Sequence, residues 1–275
     1  MEQTVCSENF DDDTDFKKLK KVMHKGTGVN VEYYREAYLK RRLKVRLMVT
    51  KTNTYSEYIQ YLKANPDEFS SLVNDLTINY TKFFRDPDVY VFLKEKLLPE
   101  LILSPKKWVR IWSAGCATGE EPYSLAMLTQ EVLKQSPKQC QVTIYASDLD
   151  KTALAKASSG TYNRRAVQGI DEELLSKYFE LDGELYKVKP FVKKPIHFED
   201  QDLMTPPIRR NLDLILCRNV MIYFSRDIQQ QIYTNFYDSL RTGGYLITGK
   251  TEFVAGEANN KFVDVNPACR VYKKA

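Results

Sequence analysis

The chain has 275 residues, 43% of them hydrophobic, and a formal net charge of +5. That is ordinary for a globular protein of one or two domains, and no apolar run approaches the length of a bilayer span. The five cysteines (Cys6, Cys116, Cys140, Cys217, Cys269) are scattered with no C-x-x-C pair, which argues against a disulfide framework and for free thiols in a reducing compartment.

Residues 1–15 are acidic and polar and are expected to be flexible. They lack the basic region and apolar core of an export signal, so a cytoplasmic protein is expected. Residues 16–85 read as an all-helical domain, with candidate helices at 15–25, 32–49, 55–63 and 66–77. Thr54 or Ser56 can cap the third, and Glu57 suits its first turn. The segment YREAYLKRRLKVRLM places Leu39, Leu43 and Leu47 on one helical stripe. Arg35, Arg42 and Arg46 flank it on one side, and Lys40 and Lys44 on the other. Such charge is either a solvated helix face or a surface for an acidic partner. Nucleic acid is not expected, because no helix-turn-helix or zinc pattern accompanies it.

Residues 86–107 read as a linker helix, and from residue 108 strands and helices alternate as in a parallel α/β domain, 108–275. Strands are expected at 108–113, 141–146, 195–199, 212–217, 243–250 and 268–273, and helices at 120–135, 150–158, 171–176 and 226–241. Residues 177–198 break the alternation. Their apolar–polar pattern around Asp182-Gly183 predicts an inserted antiparallel hairpin.

Four segments bear chemistry. In WVRIWSAGCATGEEPYSLAM, an apolar run meets a small-residue turn and then a helical pattern. This strand–turn–helix brings backbone close to a ligand, with Gly115 and Gly119 open to conformations other residues avoid. Neither a phosphate loop nor a G-x-G-x-x-G fingerprint is present. Glu120 and Glu121 at the helix start would repel a pyrophosphate and favour a cationic or hydroxyl-bearing ligand, or they simply complement the helix dipole. Cys116 has no histidine near it in sequence and reads as small-residue packing. The strand QVTIYASDLD ends on Asp148, where a doubly wound sheet sets a carboxylate against a ribose hydroxyl. LDLILCRNVMIYF is an apolar run broken by Arg218-Asn219, polar groups that need partners or a site. LTINYTKFFRD precedes the first strand.

In their order and spacing, LTINYTKFFRD, IWSAGCATGEEPYSLAM, ASDLD, RNLDLILCRNVMIYF and LRTGGYLITGKTE resemble the CheR-type chemoreceptor glutamate methyltransferases, from about Phe16 to Tyr272. The resemblance implies a Rossmann-like S-adenosylmethionine-dependent methyltransferase domain with a small β-subdomain, behind the helical domain. It implies methyl transfer from S-adenosylmethionine to receptor glutamates, yielding S-adenosylhomocysteine, and no metal. Carried over residue by residue, it implies that Glu121 and Asp148 hold cofactor amino or hydroxyl groups. Backbone around Ala114, Gly115 and Cys116 packs on its methionine part. Asn79, Thr81, Arg85, Arg218 and Asn219 line the cavity, and Asp202 and Leu203 meet the adenine. The family often has Asn where this chain has Asp202. Arg85 is expected to grip the substrate carboxylate and Tyr223 to orient it. Arg35, Lys40, Arg42, Lys44 and Arg46 are expected to face the receptor's cytoplasmic helices, and the protein to be a monomer without membrane insertion. The hairpin loop Leu181-Asp182-Gly183-Glu184 is too short to resemble the version that holds a receptor tether. A catalytically silent cofactor-binding scaffold is the alternative. Nucleic-acid methylation is disfavoured, because Pro206-Pro207 is followed by Ile208 rather than an aromatic.

Overall fold

The computed structural model describes residues 13–77, 79–135, 140–205, 209–254 and 256–275; most of the acidic N-terminus, Cys6 and Pro206-Pro207 lie outside them. The described residues form two compact units: residues up to Thr77 with Tyr223–Ser225, and Asn79–Ile222 with Arg226–Ala275.

The first unit is helical, with α1 (Asp13–Thr27), α2 (Glu36–Thr50), α3 (Tyr55–Ala64) and α4 (Glu68–Leu76). Apolar residues three and four apart build its core. Phe16, Leu19 and Met23 of α1 are buried with Leu39, Leu43 and Leu47 of α2 and Leu72 and Leu76 of α4. Thr54 is the cap of α3: its Oγ1 accepts the Glu57 N–H at 3.1 Å, and Glu57 Oε2 reaches past the cap to accept the Asn53 N–H at 2.7 Å. Residues 223–225 lie along the start of α2. Arg35 N–H donates to Tyr223 O and Ser225 N–H to Tyr33 O, each at 2.9 Å. Arg35 Nε donates to Phe224 O at 2.9 Å, and the Tyr38 and Tyr223 ring centroids are 4.9 Å apart.

The second unit opens with α5 (Pro87–Phe92), a π-helical turn (Leu93–Leu97) and α6 (Leu98–Ile102). There follow β1 (Trp108–Ala114), α7 (Glu120–Lys134), β2 (Gln141–Asp148), α8 (Lys151–Ser159), β3 (Thr161–Asn163), α9 (Arg164–Val167) and α10 (Glu172–Tyr178). Next come β4 (Phe179–Asp182), β5 (Leu185–Val188), α11 (Pro190–Lys193), β6 (Ile196–Asp200), β7 (Leu212–Cys217), α12 (Arg226–Ser239), β8 (Leu240–Thr248), β9 (Phe262–Asn266) and β10 (Val271–Lys274). The main sheet has the order β6-β2-β1-β7-β8-β10-β9. The first five of these strands are parallel, and β10 runs antiparallel to β8 and β9. Because β1 has β2 on one side and β7 on the other, the strand order reverses at β1. The crevice beyond its carboxyl end is where such sheets bind ligands.

Two expectations change in detail. The hairpin expected over 177–198 occupies Phe179–Val188, turning at Gly183 with φ +60°. A third strand, β3, pairs with β5, while Ile196–Asp200 joins β2 in the main sheet. The strand expected at 243–250 begins earlier, at Leu240, where α12 has already ended.

Candidate functional site

The turn after β1 is held from beneath by β2. Gly115 N–H and Cys116 N–H both donate to Ser147 O, at 2.8 and 2.9 Å, and Ala117 N–H donates to Asp148 Oδ2 at 2.8 Å. The N–H groups of Gly115 and Cys116 are therefore spent on β2. Gly115 is required, because φ is +76° and a Cβ there would stand 2.6 Å from Val220 Cγ2.

Asp148 is part of this scaffold as well as a candidate ligand. Its other oxygen accepts Asp150 N–H at 3.0 Å. Asp150 in turn caps α8 through Thr152 and Ala153 and accepts from Asn79 Nδ2 at 2.7 Å. Burial pushes the Asp148 carboxyl above its usual range, and the N–H groups of Asp150 and Ala117 pull it back. Glu121 projects from the first turn of α7 and accepts from Ser113 Oγ at 2.8 Å. Burial raises its carboxyl too, opposed mainly by the Arg218 charge. Glu120 turns elsewhere: its Oε2 accepts from Thr118 Oγ1 at 2.7 Å.

Arg218, at the end of β7, ties the landmarks together. Nη2 donates to Arg85 O at 2.9 Å and to Asp86 Oδ2 at 2.5 Å, and Nη1 lies 3.5 Å from Glu121 Oε2. Asn219 is left-handed, with φ +62°. Its N–H donates at 2.8 Å to Glu252, which also accepts from Gly249 N–H at 2.6 Å and Ile222 N–H at 3.2 Å. Glu252 is a buried carboxylate that the sequence reading did not single out; the cue was an acid closing a strand, in LITGKTE. Arg85 is half-buried, its Nη1 donating to Tyr80 O at 2.9 Å and its guanidinium lying over the Tyr80 ring. Thr81 is half-buried beside this segment in the chain. Asp202 closes its own turn, its Oδ1 accepting Met204 N–H at 2.9 Å, and Leu203 is buried. Gln201 N–H, one residue earlier, bonds Asp148 O at 3.2 Å. Tyr223 belongs to the helical unit, as described above.

The basic set on α2 divides. Arg46 does not offer its charge outward, which corrects the expectation for that residue. Nη2 sits 2.6 Å from Glu68 Oε2 and Nη1 2.9 Å from Asp75 Oδ2, with Tyr58 Oη also on Glu68. Lys40 pairs with Glu36 at 2.8 Å, Arg42 lies over the Tyr38 ring, and Arg35 is bonded to Phe224 O. Lys44 is exposed, as is Arg41, which the sequence reading passed over. Val45, Met48 and Val49 are exposed on the same helix.

These features fit S-adenosylmethionine, which carries a sulfonium and an ammonium. The carboxylates of Asp148 and Glu121 make the surroundings of the turn negative, and with burial they push the Cys116 thiol well up. A cysteine so placed stays protonated and is no nucleophile. Asn219 Oδ1 is buried without a hydrogen-bond partner among the described residues, an acceptor suited to a cationic donor.

Comparison with known proteins agrees. The CheR methyltransferase SAM-binding domain matches residues 79–269, and the CheR methyltransferase all-alpha domain matches residues 14–77. The chain is 34% identical over 255 residues to a chemotaxis protein methyltransferase of Listeria monocytogenes, covering 92% of this chain and 95% of that one. Identity is 31% over 258 residues with its counterpart in Borreliella burgdorferi, covering 90% and 91%. It is 36% over 214 residues with chemotaxis protein methyltransferase 1 of Vibrio cholerae, covering 76% and 77%. Both units thus fall within one family, and the chain belongs to the CheR methyltransferases, S-adenosylmethionine-dependent enzymes of chemotaxis.

Proposed function

We propose that this enzyme methylates glutamate side chains of chemotaxis receptors, forming glutamyl methyl esters. The bound cofactor supplies an electrophilic methyl on sulfur. The acceptor carboxylate is ionised at neutral pH and is already a nucleophile, so no catalytic base is needed. What the chain must supply is alignment and exclusion of water, worth roughly 7–11 kcal/mol in favourable cases.

The observation that carries this reading is Arg85. One N–H of its guanidinium is spent on Tyr80 O, and its charge is felt by the Glu121 carboxylate beside the turn. A guanidinium has five N–H donors, so Arg85 can aim a substrate carboxylate at the methyl while leaving one oxygen to attack. Asp148 and Glu121 would hold cofactor hydroxyl and amino groups, with Asn79, Thr81, Arg218 and Asn219 around them and Asp202 and Leu203 at the adenine. An aspartate at 202 accepts from an adenine amino group but cannot donate to a ring nitrogen. Tyr223 would orient the incoming carboxylate. Lys44 and Arg41 of α2 provide the outward positive charge for acidic receptor helices. Among the described residues no helix is long and apolar enough to cross a membrane.

The decisive experiment is transfer of radiolabelled methyl to receptor-containing membranes, followed by base treatment. Volatile methanol released by base shows an ester. Label that resists base would move the reaction to nitrogen or sulfur and end this reading.

A further inference from the structure

The small antiparallel sheet reaches the cofactor turn through one side chain. Tyr162, on β3, is 1% exposed, and its hydroxyl donates to Thr118 O at 2.7 Å. The ring is fixed before the hydroxyl is considered. It meets Phe83 edge-on at 4.9 Å and Tyr123 at 6.2 Å between centroids. Its backbone is registered against Tyr186 of β5. The approach is close enough to dictate the next residue: a Cβ at Gly119 would stand 3.0 Å from the Tyr162 hydroxyl and 2.9 Å from Ala157 Cβ.

The turn needs such a hold. Ala117 is non-glycine with φ +48°, a conformation that persists only where its surroundings over-determine it. Its N–H is fixed by Asp148, and the carbonyl of the next residue is fixed by Tyr162. The Ala117-Thr118 segment is thus clamped at both ends, from β2 and from the small sheet. Release of the Thr118 carbonyl would let Ala117 relax toward ordinary φ. A change of φ turns the Ala117–Thr118 peptide against the one that carries the Ala117 N–H, and so loads the bond from that N–H to Asp148.

We infer that Tyr162 is a positioning residue for the cofactor: acting through Thr118 and Ala117, it holds the turn and Asp148 in binding geometry. The inference rests on the reading that this turn and Asp148 seat S-adenosylmethionine. It makes the small sheet a brace of the cofactor site.

Tyr123 supplies the control. It is equally buried in the same aromatic cluster, and its hydroxyl also donates to a backbone carbonyl at 2.7 Å, but that carbonyl is Ala157 O, on α8 rather than on the turn. The full-length protein and its Tyr162→Phe, Tyr123→Phe and Asp148→Asn variants are titrated with S-adenosylhomocysteine by calorimetry. Melting temperatures and methylation kinetics are recorded in parallel. Tyr162→Phe should weaken binding about five- to tenfold, the scale of one buried hydrogen bond. It should raise KM for the cofactor by a similar factor and leave kcat at saturating cofactor within about twofold. Tyr123→Phe should lose comparable thermal stability with affinity nearly intact. Unchanged affinity in Tyr162→Phe, or equal weakening in both tyrosine variants, overturns the inference. Asp148→Asn separates the two levels. If it too binds normally, the seat assigned to the cofactor is wrong; if it binds poorly while Tyr162→Phe does not, only the role of Tyr162 falls.

Discussion

The backbone N–H of Ala117 lies 2.8 Å from Asp148 Oδ2, so the acid at the end of one strand sets the conformation of the turn at the end of its neighbour. Replacing Asp148 therefore removes a structural anchor together with the ligand group proposed for the cofactor. Asp148→Ala should weaken cofactor binding by roughly 1–3 kcal/mol, the scale of lost charge-assisted hydrogen bonds. Asp148→Asn, which keeps one acceptor oxygen, should lose less. Equal losses in the two variants, measured by calorimetry, would show that the carboxylate charge is the whole effect.

Burial raises the carboxyls of Asp148 and Glu121, and a sulfonium bound beside them favours their ionised forms. Binding should therefore release protons. Affinity should be greatest above the raised free-state range and fall as pH drops through it. For the unliganded fold the sign is opposite. A carboxyl raised in the folded state contributes stability that is full below its unfolded pKa and lost as pH rises through the folded one. Calorimetry in buffers of differing ionisation enthalpy counts the protons, and uptake rather than release would contradict the charge assignment.

Arg85→Ala should retain cofactor affinity within a few-fold and lose most turnover, because the guanidinium is assigned to the acceptor. Arg85→Lys should recover little, since an ammonium cannot grip a carboxylate in a fork. Tyr223→Phe should lose turnover more modestly, as one hydroxyl is removed. Single-turnover rates at saturating cofactor separate these from binding defects.

On α2, two basic residues should behave oppositely. Arg46 and Glu68 have side chains only 11% and 8% exposed, so Arg46→Ala strands a buried carboxylate. It should cost on the order of 3–5 kcal/mol in denaturant unfolding, with cofactor affinity unchanged in the protein that remains folded. Lys44→Glu should leave stability nearly unchanged and raise KM for receptor, most at low salt. A KM for Lys44→Glu equal to the parent's across a salt series would remove α2 electrostatics from receptor recognition.

The contrast shows what can be read from a sequence. Arg46 and Lys44 look alike on a helical wheel, and only α4, more than twenty residues on, distinguishes them by bringing Glu68 and Asp75 to Arg46. The parallel strands were legible because each runs apolar into a small or polar turn, as Trp108–Ala114 does into Gly115. Strand β9, Phe-Val-Asp-Val-Asn, escaped notice because Val263 and Val265 are exposed on a sheet edge and pattern weakly. Thr161–Asn163 is too short to carry any period, so Tyr162 remained anonymous until its hydroxyl was seen against Thr118. Glu252 was hidden because its partners are backbone N–H groups, which leave no trace in side-chain composition.

The three residues Tyr223–Ser225 carry a lesson for dissection of the enzyme. Arg35 and Tyr33 satisfy their backbone groups, so the helical unit includes a piece of chain that arrives long after the unit itself has been synthesised. A deletion at residue 78 would not excise a free-standing module; it would orphan the carbonyls of Tyr223 and Phe224. In chimaeras that exchange the first 77 residues between relatives, these backbone bonds can form with any residues at 223–225, and what has to be matched is the ring packing of Tyr34 on Phe224 and Tyr38 on Tyr223.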